Sequence, residues 1–169
     1  MTERARVEIE SIAAGGDGVA RVDGLVVFVP RSAPGDVGVV DYELRGRLAR
    51  GRMVELERAS AARVEPPCPH YTADRCGGCQ LQHLGYEAQL AAKGRIVSDA
   101  LARIGGHAVA SPEVRPSPRP WRYRRKLTLA LRRVGSRWVS GLHPYDAPGR
   151  VFDLVDCPIT DERVLAAWA

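Results

Sequence analysis

The sequence contains almost no lysine and no long apolar run. Only Lys93 and Lys126 are lysines, so arginine supplies the other 23 of the 25 basic residues. No apolar segment approaches the roughly 18 residues that a membrane-spanning helix needs. The first residues, Met-Thr-Glu-Arg-Ala-Arg, lack the apolar core of a secretory signal. These absences predict a soluble, non-exported protein with a cytoplasmic location and no membrane partner.

The composition is otherwise that of a globular chain. The 169 residues are 45% hydrophobic and 27% charged, which suits one ordinary domain or two small ones with a packed core. The net charge is +5. Because guanidinium groups pair bidentately with phosphate and stack on bases, the arginine excess favours a polyanionic partner. A GC-rich genome would produce the same bias, so composition alone does not identify the partner.

Residues 1–60 have the pattern of short β-strands. Residues 6–12 alternate polar and apolar side chains, as a half-buried strand does. Asp23-Gly24 separates two β-rich runs and favours the positive φ angles of a type I′ hairpin turn. Strands are predicted at residues 6–12, 19–22, 25–29, 37–42 and 52–56. About five short strands in this length favour a small closed barrel of OB-like type.

Residues 61–169 are predicted to combine a loop, helices and a hairpin, so that the whole chain is α+β and mainly β. A loop rich in Pro, Cys, Gly and His precedes a helix over residues 86–104, and a proline-rich linker follows it. Leu127, Leu129 and Leu131 are expected on one face of a hairpin. A last helix begins at residue 160 or 161 and is cut off, so the chain is expected to be the front part of a longer sequence.

Four cysteines carry the most specific pattern. Cys68, Cys76 and Cys79 are spaced C-x7-C-x2-C, and Cys157 follows after 77 residues. Disulfides are disfavoured because a non-exported protein lies among reducing thiols. A thioredoxin-like redox pair is disfavoured because no βαβ unit surrounds Cys76-Gly-Gly-Cys79. The pattern therefore favours a metal centre.

Zinc and an iron–sulfur cluster are the two alternatives for this centre. Structural zinc usually takes two close pairs of ligands, whereas each iron of a cubane takes one cysteine and the ligands can be spread. Three clustered thiolates and one distant thiolate therefore favour the cluster. Gly77 and Gly78 would let the backbone approach it and donate N–H groups. His70 and His83 could replace a thiolate at zinc but are predicted to be surface loop residues.

Two arginine-rich segments are candidates for RNA binding. Nine basic residues and no acidic one lie between Val114 and Tyr145, interleaved with aromatic residues. Cations follow phosphates while aromatic rings stack on unpaired bases. The alternative is a solvated hairpin face with its aromatic residues in the core. The predicted RNA contacts are Arg45, Arg47, Arg50, Arg52, Arg122, Tyr123, Arg124, Arg125 and Lys126.

The cysteine block, Cys76-Gly-Gly-Cys79-Gln-Leu-Gln-His83, together with Cys68-Pro69, resembles that of the RNA 5-methyluridine methyltransferases. These enzymes use S-adenosylmethionine to methylate C5 of uridine in ribosomal and transfer RNA. Residues 1–60 are similar to their RNA-binding TRAM domain, and Asp156-Cys157-Pro158-Ile159 to their central domain.

The resemblance implies particular ligands and partners. A [4Fe–4S] cluster is expected on Cys68, Cys76, Cys79 and Cys157, with rRNA or tRNA as the partner of a monomeric chain. The implied order is a TRAM barrel over 1–60, then an iron–sulfur loop, one helix and a hairpin in a central domain over 61–169. The family's first cysteine gap is shorter, so residues 71–75 are expected to bulge outward. Arg125 stands where the family commonly has asparagine.

The family's catalytic domain has no counterpart in this sequence. Its chemistry resides in a Rossmann-like domain with a cofactor loop, a nucleophilic cysteine and a carboxylate base. Here all four cysteines are assigned to the cluster and no strand–glycine loop–helix unit occurs, so no catalytic residue is predicted. S-adenosylmethionine is expected only in the missing domain.

Two interpretations therefore compete. One is a catalytically incomplete front part of a uracil-C5 methyltransferase, and the other is a self-standing RNA-binding protein with a structural metal site of four cysteines. Electron transfer is a weaker third interpretation, because a single cluster in a basic sequence has no evident redox partner.

Overall fold

The computed structural model describes residues 1–168, which divide into two compact units. One unit contains residues 1–64 and 83–115, and the other contains residues 65–82 and the chain from Pro116 onward. The elements are β1 Thr2–Glu8, β2 Ser11–Ile12, β3 Gly18–Val22, β4 Leu25–Val29, β5 Val37–Arg45, β6 Leu48–Arg58, α1 Pro69–Thr72, α2 Tyr86–Arg103, β7 Ala130–Val134, β8 Arg137–Leu142, β9 Phe152–Asp153 and α3 Glu162–Trp168. No helix within the described part is long and apolar enough to cross a membrane.

A six-stranded sheet in the order β1-β5-β6-β4-β3-β2 forms the first unit. All its neighbouring strands are antiparallel except β4 and β6. Alternate side chains enter one core, whose buried members are Val7, Ile9, Ala20, Val27, Val29, Val40, Tyr42 and Ala49. The mainly β class of the chain and the OB-like character of its first part are confirmed.

The predicted closed barrel is wrong, because the strand pairing is open. Across residues 1–168, β1 pairs only with β5, β2 pairs only with β3, and no ladder joins the two edges. Only Ile9 and Glu10 separate these edge strands in the chain. The sheet must therefore curl to bring its edges close, but a bend in the backbone joins them instead of a ring of hydrogen bonds.

Local turn chemistry determines the β3–β4 hairpin. Asp23 and Gly24 adopt φ angles of 48° and 83°, as a type I′ turn requires. Both strand ranges agree with the sequence prediction within one residue. This prediction is confirmed because the Asp-Gly pair and its flanking β-branched residues act over short distances.

Buried polar side chains hold the segment after β6 against the β4–β5 loop. The Asp36 carboxylate is fully buried and accepts hydrogen bonds from the Ser60 amide at 2.9 Å and from Arg63 Nη2 at 2.7 Å. Burial alone would raise the pKa of Asp36, but these hydrogen bonds and the Arg63 charge lower it below its ordinary value. His83 is also buried, with Nε2 3.0 Å from the Ser32 carbonyl oxygen. The prediction that His83 is a surface residue is therefore wrong.

The predicted helix is confirmed as α2, and the proline-rich linker follows it without regular structure. After the helix the His107 amide donates to the Leu101 carbonyl at 3.0 Å, and Gly106 adopts a φ of 69°. Gly94 is buried where the linker passes, since a Cβ there would lie 2.6 Å from the Pro112 carbonyl oxygen. The linker therefore packs along the helix in the first unit.

The second unit contains the three-stranded antiparallel sheet β7-β8-β9. The predicted hairpin turn is present, with Gly135 at a φ of 63°. However, β7 begins only at Ala130, so Leu127 and Leu129 precede it and pack beside Cys157. Leu131 is 65% exposed, and the prediction of one common leucine face is therefore wrong.

Candidate functional site

The four cysteine side chains line one cavity in the second unit. They are thiols rather than members of disulfides; three are buried, and Cys79 is partly buried. Cys68 is the N-cap residue of α1, whereas Cys157 lies in the turn that follows β9. The fold therefore closes the long sequence gap before Cys157 and brings together the ligands that the spacing predicted.

Helix α1 shapes the loop between the first two cysteines. Pro69 starts the helix, and the Tyr71 amide donates to the Cys68 carbonyl at 3.0 Å. The Tyr71 ring is only 3% exposed, and its hydroxyl donates to the Gln80 carbonyl at 3.0 Å. The expectation that residues 71–75 bulge outward is therefore wrong for Tyr71, because part of the longer gap folds inward as a helical turn.

Close packing explains the glycine pair between Cys76 and Cys79. The Gly77 amide donates to the His143 carbonyl at 2.9 Å, and a Cβ at Gly77 would lie 3.3 Å from the Tyr145 Cα. The Gly78 amide points at the Cys76 sulfur, 3.4 Å away. The Gly78 N–H therefore faces a cysteine sulfur, whereas the Gly77 N–H is bonded to a backbone carbonyl.

His70 connects the cysteine loop to the segment before Cys157. Its Nδ1 lies 2.7 Å from an Asp74 carboxylate oxygen, while its Nε2 accepts the amides of Val155 at 3.0 Å and Asp156 at 3.4 Å. Two donors at Nε2 place the ring proton on Nδ1. The ring is 5% exposed and stacks on Phe152 with a centroid separation of 5.1 Å. The prediction that His70 is a surface histidine is therefore wrong.

Arg122 is a second residue, besides His70, that forms hydrogen bonds with the segment around Cys157. Its Nη1 donates to Asp156 Oδ1 and to the Cys157 carbonyl, both at 3.0 Å. Its backbone amide donates to the Pro158 carbonyl at 2.9 Å, with Arg122 at a φ of 54°. The guanidinium predicted to contact RNA is thus engaged with the loop that carries the fourth cysteine.

Burial controls the acidity of two thiols in this cavity. It raises the pKa of Cys68 and of Cys76 above the ordinary cysteine value, and the neighbouring thiols raise both further. The Gly78 N–H acts in the opposite direction on Cys76. A positively charged metal would reverse this balance, because a coordinating thiol loses its proton.

A single ion and a cluster place different demands on the spacing of the four thiols. Tetrahedral zinc with Zn–S bonds of about 2.3 Å needs its sulfurs within about 4 Å of one another. Within residues 1–168, no three Cys, His, Asp or Glu side chains are close enough together to hold one ion. The four cysteines line one common cavity, and a cubane would take one thiolate at each of its four irons.

The basic run in the first unit lies around the β5–β6 hairpin, and acidic groups partly compensate it. Arg50 pairs with Asp17 at 2.8 Å, and Arg45 pairs with Glu43 at 3.2 Å. Asp41 stands directly opposite Arg52 in the antiparallel ladder. The positive charge here is smaller than the run of arginines indicates, because carboxylates elsewhere in the sheet and its loops offset it.

The second basic segment combines cations with exposed aromatic rings. Tyr123 is 55% exposed and Trp138 is 63% exposed, so the alternative that these rings form a core is wrong. Three exposed cations follow Tyr123 and form no ion pair within the described part of the chain: Arg124, Arg125 and Lys126. Arg132 and Arg133 on β7 are exposed as well, so the window keeps the exposed cations and rings from which RNA contacts are predicted.

The basic segment is also paired to the turn that carries Cys157. The Arg124 amide donates to the Ile159 carbonyl, and the Asp161 amide donates to the Arg124 carbonyl, both at 2.8 Å. Arg124 is also one of the residues that line the cysteine cavity. The candidate metal centre and the candidate RNA contact are therefore adjacent within one unit.

Comparison with known proteins gives one domain match and several similar proteins. Residues 2–41 match the TRAM domain. An uncharacterized RNA methyltransferase of Protochlamydia amoebophila is 39% identical over 156 residues, which are 90% of this chain and 35% of that protein. One from Halalkalibacterium halodurans is 36% identical over 93% of this chain and 34% of its own length, and one from Gloeobacter violaceus is 41% identical over 94% and 35%.

The relatives share one description, and the TRAM match agrees with it. The chain is therefore similar to the front third of RNA methyltransferases, and its residues 2–41 match the TRAM domain. It spans about a third of the length of the relatives it matches.

Proposed function

We propose that this chain is the RNA-recognition and cluster-holding part of an RNA uracil-C5 methyltransferase that uses S-adenosylmethionine and acts on rRNA or tRNA. The observation that carries the proposal is the set of four cysteine thiols around one cavity, in a chain related to RNA methyltransferases. The TRAM match and the arginine excess support RNA as the partner. The chain itself is proposed to be catalytically incomplete.

Cys68, Cys76, Cys79 and Cys157 would hold the [4Fe–4S] cluster, each through one thiolate. When bound, the cluster would supply a cross-link between two parts of the chain that are distant in sequence. A hydrogen bond from the Val155 amide to His70 and one from Arg122 to the Cys157 carbonyl already hold the segment around Cys157. These contacts favour a structural role for the centre.

A structural role of the cluster would also affect RNA binding. The turn after Cys157 pairs with the backbone of Arg122 and Arg124, so fixing Cys157 also fixes the path of the basic segment. Tyr123 and the three cations that follow it would then be presented in one fixed conformation. Ordering these side chains before RNA arrives reduces the entropy cost of binding.

Metal analysis of the wild-type protein tests the proposal. Protein purified without oxygen should contain about four iron and four sulfide ions per chain and absorb broadly in the visible range. Cys79→Ser should lose the cluster, whereas Ser98→Ala in α2 should retain it. Stoichiometric zinc without iron in the wild-type protein would contradict the iron–sulfur assignment and support a zinc site of four cysteines.

A further inference from the structure

One side chain that lines the cysteine cavity has a buried amide oxygen without a hydrogen-bond partner among the described residues. Gln82 is only 7% exposed and lines the cavity together with the four cysteines. Its Oε1 atom is buried and has no hydrogen-bond partner within the described residues. Native proteins rarely bury an amide in this way, so an unpaired one indicates a missing partner.

The walls of the cavity contain polar groups besides the cysteines, but none of them bonds to this amide oxygen. Leu142, Leu154 and Ile159 are the aliphatic members of the lining, and its polar members include His70, Arg124 and Asp156. No described residue forms a hydrogen bond with Gln82 Oε1. The hydrogen bond from Tyr71 to the Gln80 carbonyl fixes the backbone two residues before Gln82. The partner of the amide is therefore expected to be a group that occupies the cavity.

The chemistry of the amide suits a cluster. Rotation about its last torsion angle exchanges the oxygen and the NH₂ group, so the side chain can present either an acceptor or two donors. Sulfide and thiolate sulfurs carry negative charge and accept N–H groups. Such hydrogen bonds favour the more negative, reduced cluster and thereby raise its reduction potential.

We propose that Gln82 donates its side-chain N–H to a sulfur of the cluster and thereby raises the cluster's reduction potential. Gln82 is a positioning and tuning residue and not a fifth ligand. This inference rests on the proposed iron–sulfur function and adds a fixed polar contact to it. Gln82 was not among the candidate residues taken from the sequence, because no spacing rule distinguishes it from Gln80.

A matched pair of variants tests the inference. Gln82→Met keeps the length of the side chain but removes its N–H groups, whereas Gln80→Met makes the same change at an exposed position two residues away. Both proteins should contain as much iron as the wild type. A reductive titration followed by electron paramagnetic resonance should show a more negative potential for Gln82→Met only. Equal potentials in all three proteins would overturn the inference.

If Gln82→Met fails to fold or to bind iron, the inference can still be tested in protein that keeps Gln82. Protein carrying Gln80→Met is labelled with ¹⁵N in its glutamine side chains and reduced. Pulsed paramagnetic resonance should then detect one ¹⁵N nucleus coupled to the cluster. Absence of that coupling would overturn the role of Gln82 and leave the cluster itself intact. Absence of any cluster in the wild-type protein would instead overturn the proposed function.

Discussion

At the scale of single residues, the buried carboxylate of Asp36 has the largest predicted effect on stability. Replacement by asparagine removes the negative charge that faces Arg63 at 2.7 Å. Breaking a buried ion pair typically costs about 3–5 kcal/mol, and the partly exposed Arg63 favours the lower value. Asp36→Asn should therefore lower the free energy of unfolding of the first unit by about 3 kcal/mol, measured by urea denaturation near neutral pH.

The sign of the pH dependence follows from the lowered pKa of Asp36. The stabilisation should be fully present above the unfolded-state pKa of about 3.9 and should be lost as the pH falls further, when the native carboxylate takes up a proton. The difference between wild type and Asp36→Asn should therefore shrink in acid. Asp41→Asn, which breaks an exposed pair with Arg4, is the control and should change stability much less. A difference that stays constant far below the unfolded-state pKa would contradict this account.

At the scale of elements, the pairing of the Arg122–Arg124 segment with the Cys157 turn predicts a structural role for Arg122. Its guanidinium satisfies the carbonyls of Cys157 and Thr160 as well as the Asp156 carboxylate. Arg122→Ala should release this turn, so iron per chain should fall well below the wild-type value after anaerobic purification. Backbone amides at residues 122 and 124 should also exchange faster with deuterium, because their acceptors at 158 and 159 become mobile.

Arg125→Ala provides the matched control for this prediction, because it removes an exposed arginine three residues away. The control should keep its iron and its slow amide exchange. Full iron content together with unchanged exchange in Arg122→Ala would show that the guanidinium does not hold the turn. Arg122 would then return to the set of candidate RNA contacts.

Elements specified by local signals were predicted well, and those specified by distant contacts were not. The Asp23-Gly24 turn and the periodicity of α2 act within a few residues, and both elements are confirmed. The burial of His70 depends on Val155 and Asp156, more than eighty residues away, which no local pattern encodes. The four cysteines are the exception, because their chemistry indicates a shared site whatever the sequence distance between them.

The open sheet is a second feature that the local sequence pattern did not predict. Strand count and length favoured a barrel, but closure depends on the path of the chain between β1 and β2. The two residues there, Ile9 and Glu10, donate their amides to the carbonyls of Asp36 and Val19, one on each side of the bend. The two amides in this bend therefore donate to carbonyls in two different parts of the chain. The alternation of polar and apolar residues in the sequence does not reveal these partners.

At the scale of the whole molecule, the net charge of +5 is modest, so RNA affinity should depend on where the unpaired cations lie. Several arginines that the sequence offered are compensated: Arg50 by Asp17, Arg122 by Asp156 and Arg137 by Asp153. Arg124, Arg125 and Lys126 are three consecutive cations that form no ion pair among the described residues. Long-range electrostatic attraction of RNA by the whole chain should therefore be weaker than the arginine content suggests. Local contacts should contribute most of the RNA affinity.

The salt dependence of RNA binding measures this local contribution. Arg124, Arg125 and Lys126 are replaced together by alanine, and affinity for a single-stranded RNA is followed by fluorescence anisotropy at increasing salt. If each cation neutralises one phosphate, the slope of log affinity against log salt should flatten by about 2, since each phosphate contributes about 0.7. The control replaces Lys93, Arg95 and Arg103 of α2, which removes the same three charges from exposed helix positions. It should leave the slope within about 0.5 of the wild-type value. Equal flattening in both variants would show that net charge, rather than the segment after Tyr123, determines binding.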